Sequence, residues 1–142
     1  MTESTDREEF FKLANIAILA TIGPAQRSHA MPIWYLYEDG HFLISAARGS
    51  QKVRNVERQG EATLVVDRRD LPYYAVMVRG RAELGDALDD ESRLRLAVRY
   101  LGEERGKAYT QRTVGGDSVT IHLYPDHVIE YNGVAGRDET DS

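Results

Sequence analysis

The punctuation of this chain limits its fold more than any single motif does. Apolar or alternating runs follow one another across gaps the size of hairpin turns, and helical spacing appears only between some of them. The first run, Ile16 to Ile22, ends at Gly23-Pro24, and the second, Ser28 to Tyr37, ends at Asp39-Gly40, a dipeptide that suits tight hairpins. Phe42 to Ala46, Ala62 to Asp67 and the long Tyr73 to Leu84, alternating from Ala75, continue the series. Ser118 to Tyr124 and His127 to Tyr131 close it, and Pro125-Asp126 between them reads as the turn of a final hairpin. A doubly wound sheet would need strand and helix to alternate, and here they do not. The pattern therefore predicts a mainly β fold, an antiparallel barrel of six to seven strands with flanking helices. Pro32 removes a ladder donor, which places its strand at an edge or a bulge, and Gly80 predicts a bulge that lets the longest strand bend.

The helices have their own signals. Thr5 and Glu8 have capping-box spacing ahead of Phe10, Phe11, Leu13 and Ala14, which predicts a helix over 5–14 packing as a lid. Asp89-Asp90-Glu91 opens the clearest helix, with Leu94, Ala97, Val98 and Leu101 on one face and Gly102 at its end. Residues 103–109 add a short helical turn, and Val114-Gly115-Gly116 is flexible. The tail from Gly133 to Ser142 is small and charged, and is expected to be disordered.

At 142 residues the chain is expected to be one domain, large enough for a core but small for an enzyme that encloses a substrate alone, so a site shared in a dimer is attractive. The net charge of -5 leaves no basic surplus for nucleic acid. With no cysteine there is no disulfide, thiolate metal site or thiol nucleophile. His29, His41, His122 and His127 fall on different strands or turns without metal-ligand spacing. No apolar run approaches ~20 residues, so a membrane span is not expected and the cytoplasm is the expected compartment.

Against that background one basic turn stands out. Phe42 to Ala47 breaks at Arg48-Gly49-Ser50, and Ser50 is a good N-cap for a helix over 50–58 with Val53 and Val56 on its buried face and Gly60 beyond its end. Arg48, Lys52 and Arg54 crowd the start of this helix, where free N–H groups already make the site positive. Either an anion such as a phosphate sits among them, or the helix is simply a solvated basic one. Neither G-x-G-x-x-G nor G-x-x-x-x-G-K-[ST] is present. Arg68-Arg69 and the Arg93, Arg95, Arg99 series read as solvated faces, and Tyr73-Tyr74 as interface aromatics.

Taken in order, Ala20-Thr21-Ile22, Met31-Pro32-Ile33-Trp34-Tyr35, Asp39-Gly40-His41-Phe42, Ser45-Ala46 with Arg48 to Val56, Ala62 to Asp67 and Val78-Arg79-Gly80-Arg81-Ala82 form a recognisable series. It resembles the pyridoxamine 5′-phosphate oxidase-like split β-barrel family, and within it the branch of oxidoreductases that use the deazaflavin coenzyme F420. The resemblance runs from about residue 10 to residue 131 and implies a homodimer of split barrels with two cofactor sites at the interface. By position it implies that Ser45, Arg48, Lys52 and Asn55 bind the cofactor's phosphate, while the Pro32-Ile33-Trp34 backbone and Ala46 border its ring. The partner subunit would close the site with residues near Tyr74, Met77 and Tyr131. Pyridoxamine phosphate oxidases carry a C-terminal substrate motif rich in Arg and His, whereas this chain has Val134-Ala135-Gly136-Arg137-Asp138-Glu139 there. The activity implied is hydride transfer between the deazaflavin and an electron-poor conjugated small molecule such as a quinone, enone or tetrapyrrole. The rival readings are the same fold using FMN, and a non-enzymatic binder of a cofactor or haem-derived ligand.

Overall fold

The structure, a computed structural model, describes residues 3–132 and 136–140, with side chains from Asp6 to Asn132. α1 (Glu3–Phe11) delivers Phe10 and Phe11 to the core and stops short of the 5–14 expected from its apolar residues. β1 (Ala17–Ile22) buries every second residue, and β2 (Ser28–Ile33) pairs back against it. The expected strand over 28–37 then breaks. Trp34 and Tyr35 leave the sheet, and β3 (Leu36–Glu38) resumes on its opposite edge. Tyr35 holds this crossover because its ring is fully buried and its hydroxyl donates to the Phe11 carbonyl at 2.9 Å.

β3 turns through Asp39 (φ 52°) and Gly40 (φ 77°) into β4 (His41–Ala47), the positive φ pair that the Asp-Gly dipeptide predicts. α2 (Gln51–Gln59) ends on Gly60 in the left-handed conformation and inserts Val53 and Val56 into the core. β5 (Glu61–Arg68) pairs along its whole length with β6 (Tyr74–Gly85). α3 (Asp90–Leu101) starts at Asp89, whose carboxylate accepts the Ser92 N–H at 2.8 Å. After Gly102 the chain folds back as α4 (Glu103–Arg112), a fuller helix than the expected short turn.

The last two expected strands are one. β7 (Ser118–Asn132) runs unbroken, pairing with β6 throughout, with β4 along its first half and with β8 (Gly136–Thr140) along its second. Pro125-Asp126 is the bulge of this strand and not a hairpin turn. The β6–β7 register slips between Arg79 and Gly80, so Arg79 faces His127 while Gly80 faces Pro125 and Asp126 is the extra residue. Asp126 is kept there by its carboxylate, which accepts the Arg81 N–H at 3.2 Å. Gly80 is the bulge glycine, as expected. A Cβ on it would lie 1.8 Å from the Tyr124 carbonyl oxygen. Gly136–Thr140 therefore departs from the disordered tail, and the rest of that tail lies outside the described residues.

All pairings are antiparallel, and seven strands run in the order β2-β1-β5-β6-β7-β4-β3 with β8 beside β7. The result is a mainly β curled sheet with four helices, a split barrel whose gap lies between β2 and β3. Pro32 sits on the edge strand β2, where its missing donor costs no ladder bond. Among the described residues no helix is long and apolar enough to cross a membrane.

Candidate functional site

The turn from β4 into α2 opens on a cavity of about 670 Å³. Ser45, Ala46 and Ala47 of β4 and Ser118 of β7 form its floor, and Pro32, Ile33 and Trp34 form one side where β2 leaves the sheet. The α3–α4 hairpin roofs it with Leu96, Ala97, Arg93, Tyr109 and Thr113. The cavity lies within the usual range for small-molecule sites, about 300–1,000 Å³.

The three basic residues of the turn have separate fates. Arg54 is consumed locally, donating to the Gly49 carbonyl and, at 2.9 Å, to Gln51 Oε1. Arg48 is exposed and its Nε pairs with Asp117 Oδ1 at 2.9 Å, a surface ion pair at the rim. Lys52 alone lines the cavity, and among the described residues it makes no hydrogen bond or ion pair. The helix start beside it is also open. Ser50 occupies the N-cap position, but its hydroxyl donates to the Ala47 carbonyl at 2.8 Å and accepts nothing from the first turn. Lys52 thus brings an ammonium to the cavity from the first turn of a helix whose start has no side-chain cap, an arrangement that fits a phosphate.

Asn55 is a correction to the expected phosphate set. It is fully buried, its Nδ2 donates to Thr21 Oγ1 at 3.0 Å, and its Oδ1 accepts from Gln51 Nε2 at 2.7 Å. It ties α2 to β1 and does not line the cavity. Trp34 contributes to the cavity wall, but its indole stacks on Tyr100 (centroids 5.0 Å apart, planes 6° apart) and leans on Tyr109. That locks the ring between the β2 exit and the helical hairpin.

Tyr74 and Met77 lie away from this cavity. Tyr74 borders a second one of about 460 Å³ with Phe10, Arg68 and Glu130. Its hydroxyl donates to Glu130 Oε1, whose other oxygen pairs with Arg7 at 3.0 Å. Burial and that hydrogen bond raise the phenol's pKa well above its ordinary value. Met77 is central in β6, in register with Val65 and Ile129. Within one chain neither reaches the first cavity.

The roof was not visible in sequence. Arg93 donates to the Thr110 carbonyl at 3.2 Å and to Thr113 Oγ1 at 2.9 Å, so it fastens α3 to the end of α4 and is not a solvated charge. The one local signal was the i, i+4 pair Glu103–Lys107, which supports a longer α4. Two histidines that looked scattered also meet, His41 Nε2 and His122 Nδ1 lying 3.2 Å apart. Among the described residues no group of three or more His, Asp or Glu is arranged to hold a metal.

Several known proteins share this arrangement of strands and helices. A conserved hypothetical protein from Mycobacterium tuberculosis, Rv2991, superposes with a TM-score of 0.75 at 22% identity, covering 94% of this chain and 86% of that one. An F420 reductase matches with a TM-score of 0.69 at 23% identity, covering 85% of this chain and 94% of its own. A haem-binding protein from Mycobacterium smegmatis matches with a TM-score of 0.70 at 17% identity, covering 99% of this chain but 60% of that longer one. No curated protein matches in sequence. At these identities the structural likeness speaks for the fold alone. In sequence, the family model described as pyridoxamine 5′-phosphate oxidase spans residues 5–132, from α1 through the end of β7. The chain that builds this open barrel and its basic turn thus belongs to the pyridoxamine 5′-phosphate oxidase family.

Proposed function

We propose that the chain is a homodimeric oxidoreductase that binds the deazaflavin F420 in the β4–α2 cavity and reduces an electron-poor conjugated small molecule. The observation that carries this reading is Lys52, a lining ammonium without a partner among the described residues, in the first turn of a helix that lacks a side-chain cap. Lys52 and the first N–H groups of α2 would hold the phosphate, with the Ser45 hydroxyl as a further donor. The Pro32-Ile33-Trp34 backbone and Ala46 would border the ring. The cofactor supplies hydride chemistry when bound, so the protein's own tasks are orientation and exclusion of water. The apolar roof of Leu96 and Ala97 serves the second.

The outer face of the sheet supports the dimer. Pro32, Ile18, Val65, Met77 and Ile129 stand in cross-strand register over five strands, a row without a charge, and each is at least partly exposed. The row begins at a cavity residue, Pro32, so a second copy covering it would also reach the cavity mouth. Met77 and Tyr131, which share this face, would then be the partner's contribution, whereas Tyr74 packs against the core on the other face of β6.

FMN is the second reading, favoured by the family's description, because its phosphate would suit the same turn. Titrating the purified protein separately with F420 and with FMN tests the choice. The expected result is saturable F420 binding and oxidation of reduced F420 by a quinone or enone. Tight FMN binding with none of F420 would overturn the deazaflavin reading. Binding of F420 or haem without turnover on a broad panel of acceptors would favour a non-enzymatic binder.

A further inference from the structure

Behind the cavity floor, next to Ser45 in the β4–β7 pairing, lies one buried polar atom that the fold itself does not explain. Thr120 is 1% exposed, and among the described residues its hydroxyl has no hydrogen-bond partner. It lies on the face of β7 opposite the core residues Val119 and Ile121, the face that also carries Ser118 of the cavity floor. Its cross-strand neighbour on β6 is Gly85, which has no side chain to offer. Its neighbour on β4 is Ser45, which lines the cavity, is exposed, and makes no hydrogen bond through its hydroxyl among the described residues. Residues directly opposite in an antiparallel pair have Cβ atoms about 4.5–5.5 Å apart, close enough for Thr and Ser hydroxyls to bond after a rotamer change. A buried hydroxyl without a partner is a standing cost to a fold, and valine would fill the same shape without it.

We propose that Thr120 is a positioning residue for the anion site and acts through Ser45. With a phosphate in the cavity, the Ser45 hydroxyl donates outward to a phosphate oxygen, and the Thr120 hydroxyl donates to the Ser45 oxygen from behind. Each bond polarises the next, and the chain fixes the Ser45 rotamer toward the ligand. This inference rests on the cofactor reading, but it concerns a residue that neither the basic turn nor the family resemblance points to.

The test compares wild type, Thr120→Val, Thr120→Ser, Ser45→Ala and the Ser45→Ala/Thr120→Val double variant. For each, dissociation constants for F420 and for FMN are measured together with the thermal midpoint. The expected result is that Thr120→Val weakens binding about threefold to tenfold, the range for one neutral hydrogen bond, while its melting temperature holds or rises. Thr120→Ser restores affinity, and the double variant binds no worse than Ser45→Ala alone. Wild-type affinity in Thr120→Val or Ser45→Ala, or effects that multiply in the double variant, would overturn the inference and leave the cofactor reading standing. A lower melting temperature with unchanged affinity would mean that Thr120 serves a buried water and the fold. Wild type that binds neither cofactor would remove the cofactor reading and this inference with it.

Discussion

Lys52 and Asn55 lie three residues apart on one helix, share a face, and do different work because the barrel wall passes between them. Lys52 lines the cavity, while Asn55 is buried with Val53 and Val56 against the barrel. Lys52→Ala is expected to weaken cofactor binding by about 1.5–3 kcal/mol, the range for hydrogen bonds to charged groups, at an unchanged melting temperature. Equal affinity in a direct titration would make Lys52 a surface charge. Asn55→Ala should act on the fold instead. It removes the bond to Thr21 Oγ1, whose residue is 2% exposed, and leaves that hydroxyl buried without its donor. A stability loss of about 1–3 kcal/mol in a denaturant titration is expected. Lys52 stood out by its charge at a helix start, whereas Asn55 was suggested by the family resemblance alone, and neither signal says which side chain the barrel buries.

At the scale of the element, the legible features were those encoded locally. Strand periodicity, the Asp39-Gly40 turn, the acidic helix start at Asp89-Asp90-Glu91 and the Gly60 stop all act within a few residues, and each appears where its chemistry places it. The basic turn of Arg48, Lys52 and Arg54 could be picked out for the same reason, since its charges lie within a few residues of one helix start. What could not be read depended on neighbours distant in sequence. Pro125-Asp126 has turn chemistry but is pinned as a bulge by β6, and Arg93 has the pattern of a surface residue until α4 folds back on it. The bulge carries a direct test. Gly80→Ala meets a backbone oxygen that no rotamer can move aside, so it should cost at least about 3 kcal/mol, the upper end for overpacking. A melting curve close to wild type would show that the register can slip. The pairing of β4 with β7 carries another. Burial and the neighbouring His41 lower the His122 pKa below its ordinary 6.5, and the ring also packs where a Gly85 Cβ would stand, at 2.8 Å. A histidine held neutral in the fold binds fewer protons than it does unfolded. Its contribution is therefore full above 6.5 and is lost as pH falls from there through the lower folded value. Melting temperature should drop across that window in wild type and drop less in His122→Gln, and parallel curves would refute the assignment.

For the whole molecule the decisive question is whether one chain can build the site. The cavity has a floor, a helix start and a roof, but on the β2 side it is bordered only by Pro32, Ile33 and Trp34, where the sheet ends in an open edge. The uncharged row from Pro32 to Ile129 leads from that edge across the sheet, and Met77 is the fourth of its five residues. In a monomer Met77 is half-buried, and a lysine in its place can extend its ammonium into water, so the fold should survive Met77→Lys. In a dimer packed on this row the same ammonium would be trapped without a partner, at a penalty of several kcal/mol per copy that a modest interface cannot carry. Sedimentation should therefore show a dimer in wild type and a monomer in Met77→Lys, with the same far-ultraviolet circular dichroism. Cofactor affinity should fall with the dimer, although Met77 does not line the cavity in its own chain. If Met77→Lys remains dimeric, the interface lies elsewhere; if its monomer binds cofactor as wild type does, one chain suffices, and Met77 and Tyr131 have no part in the site.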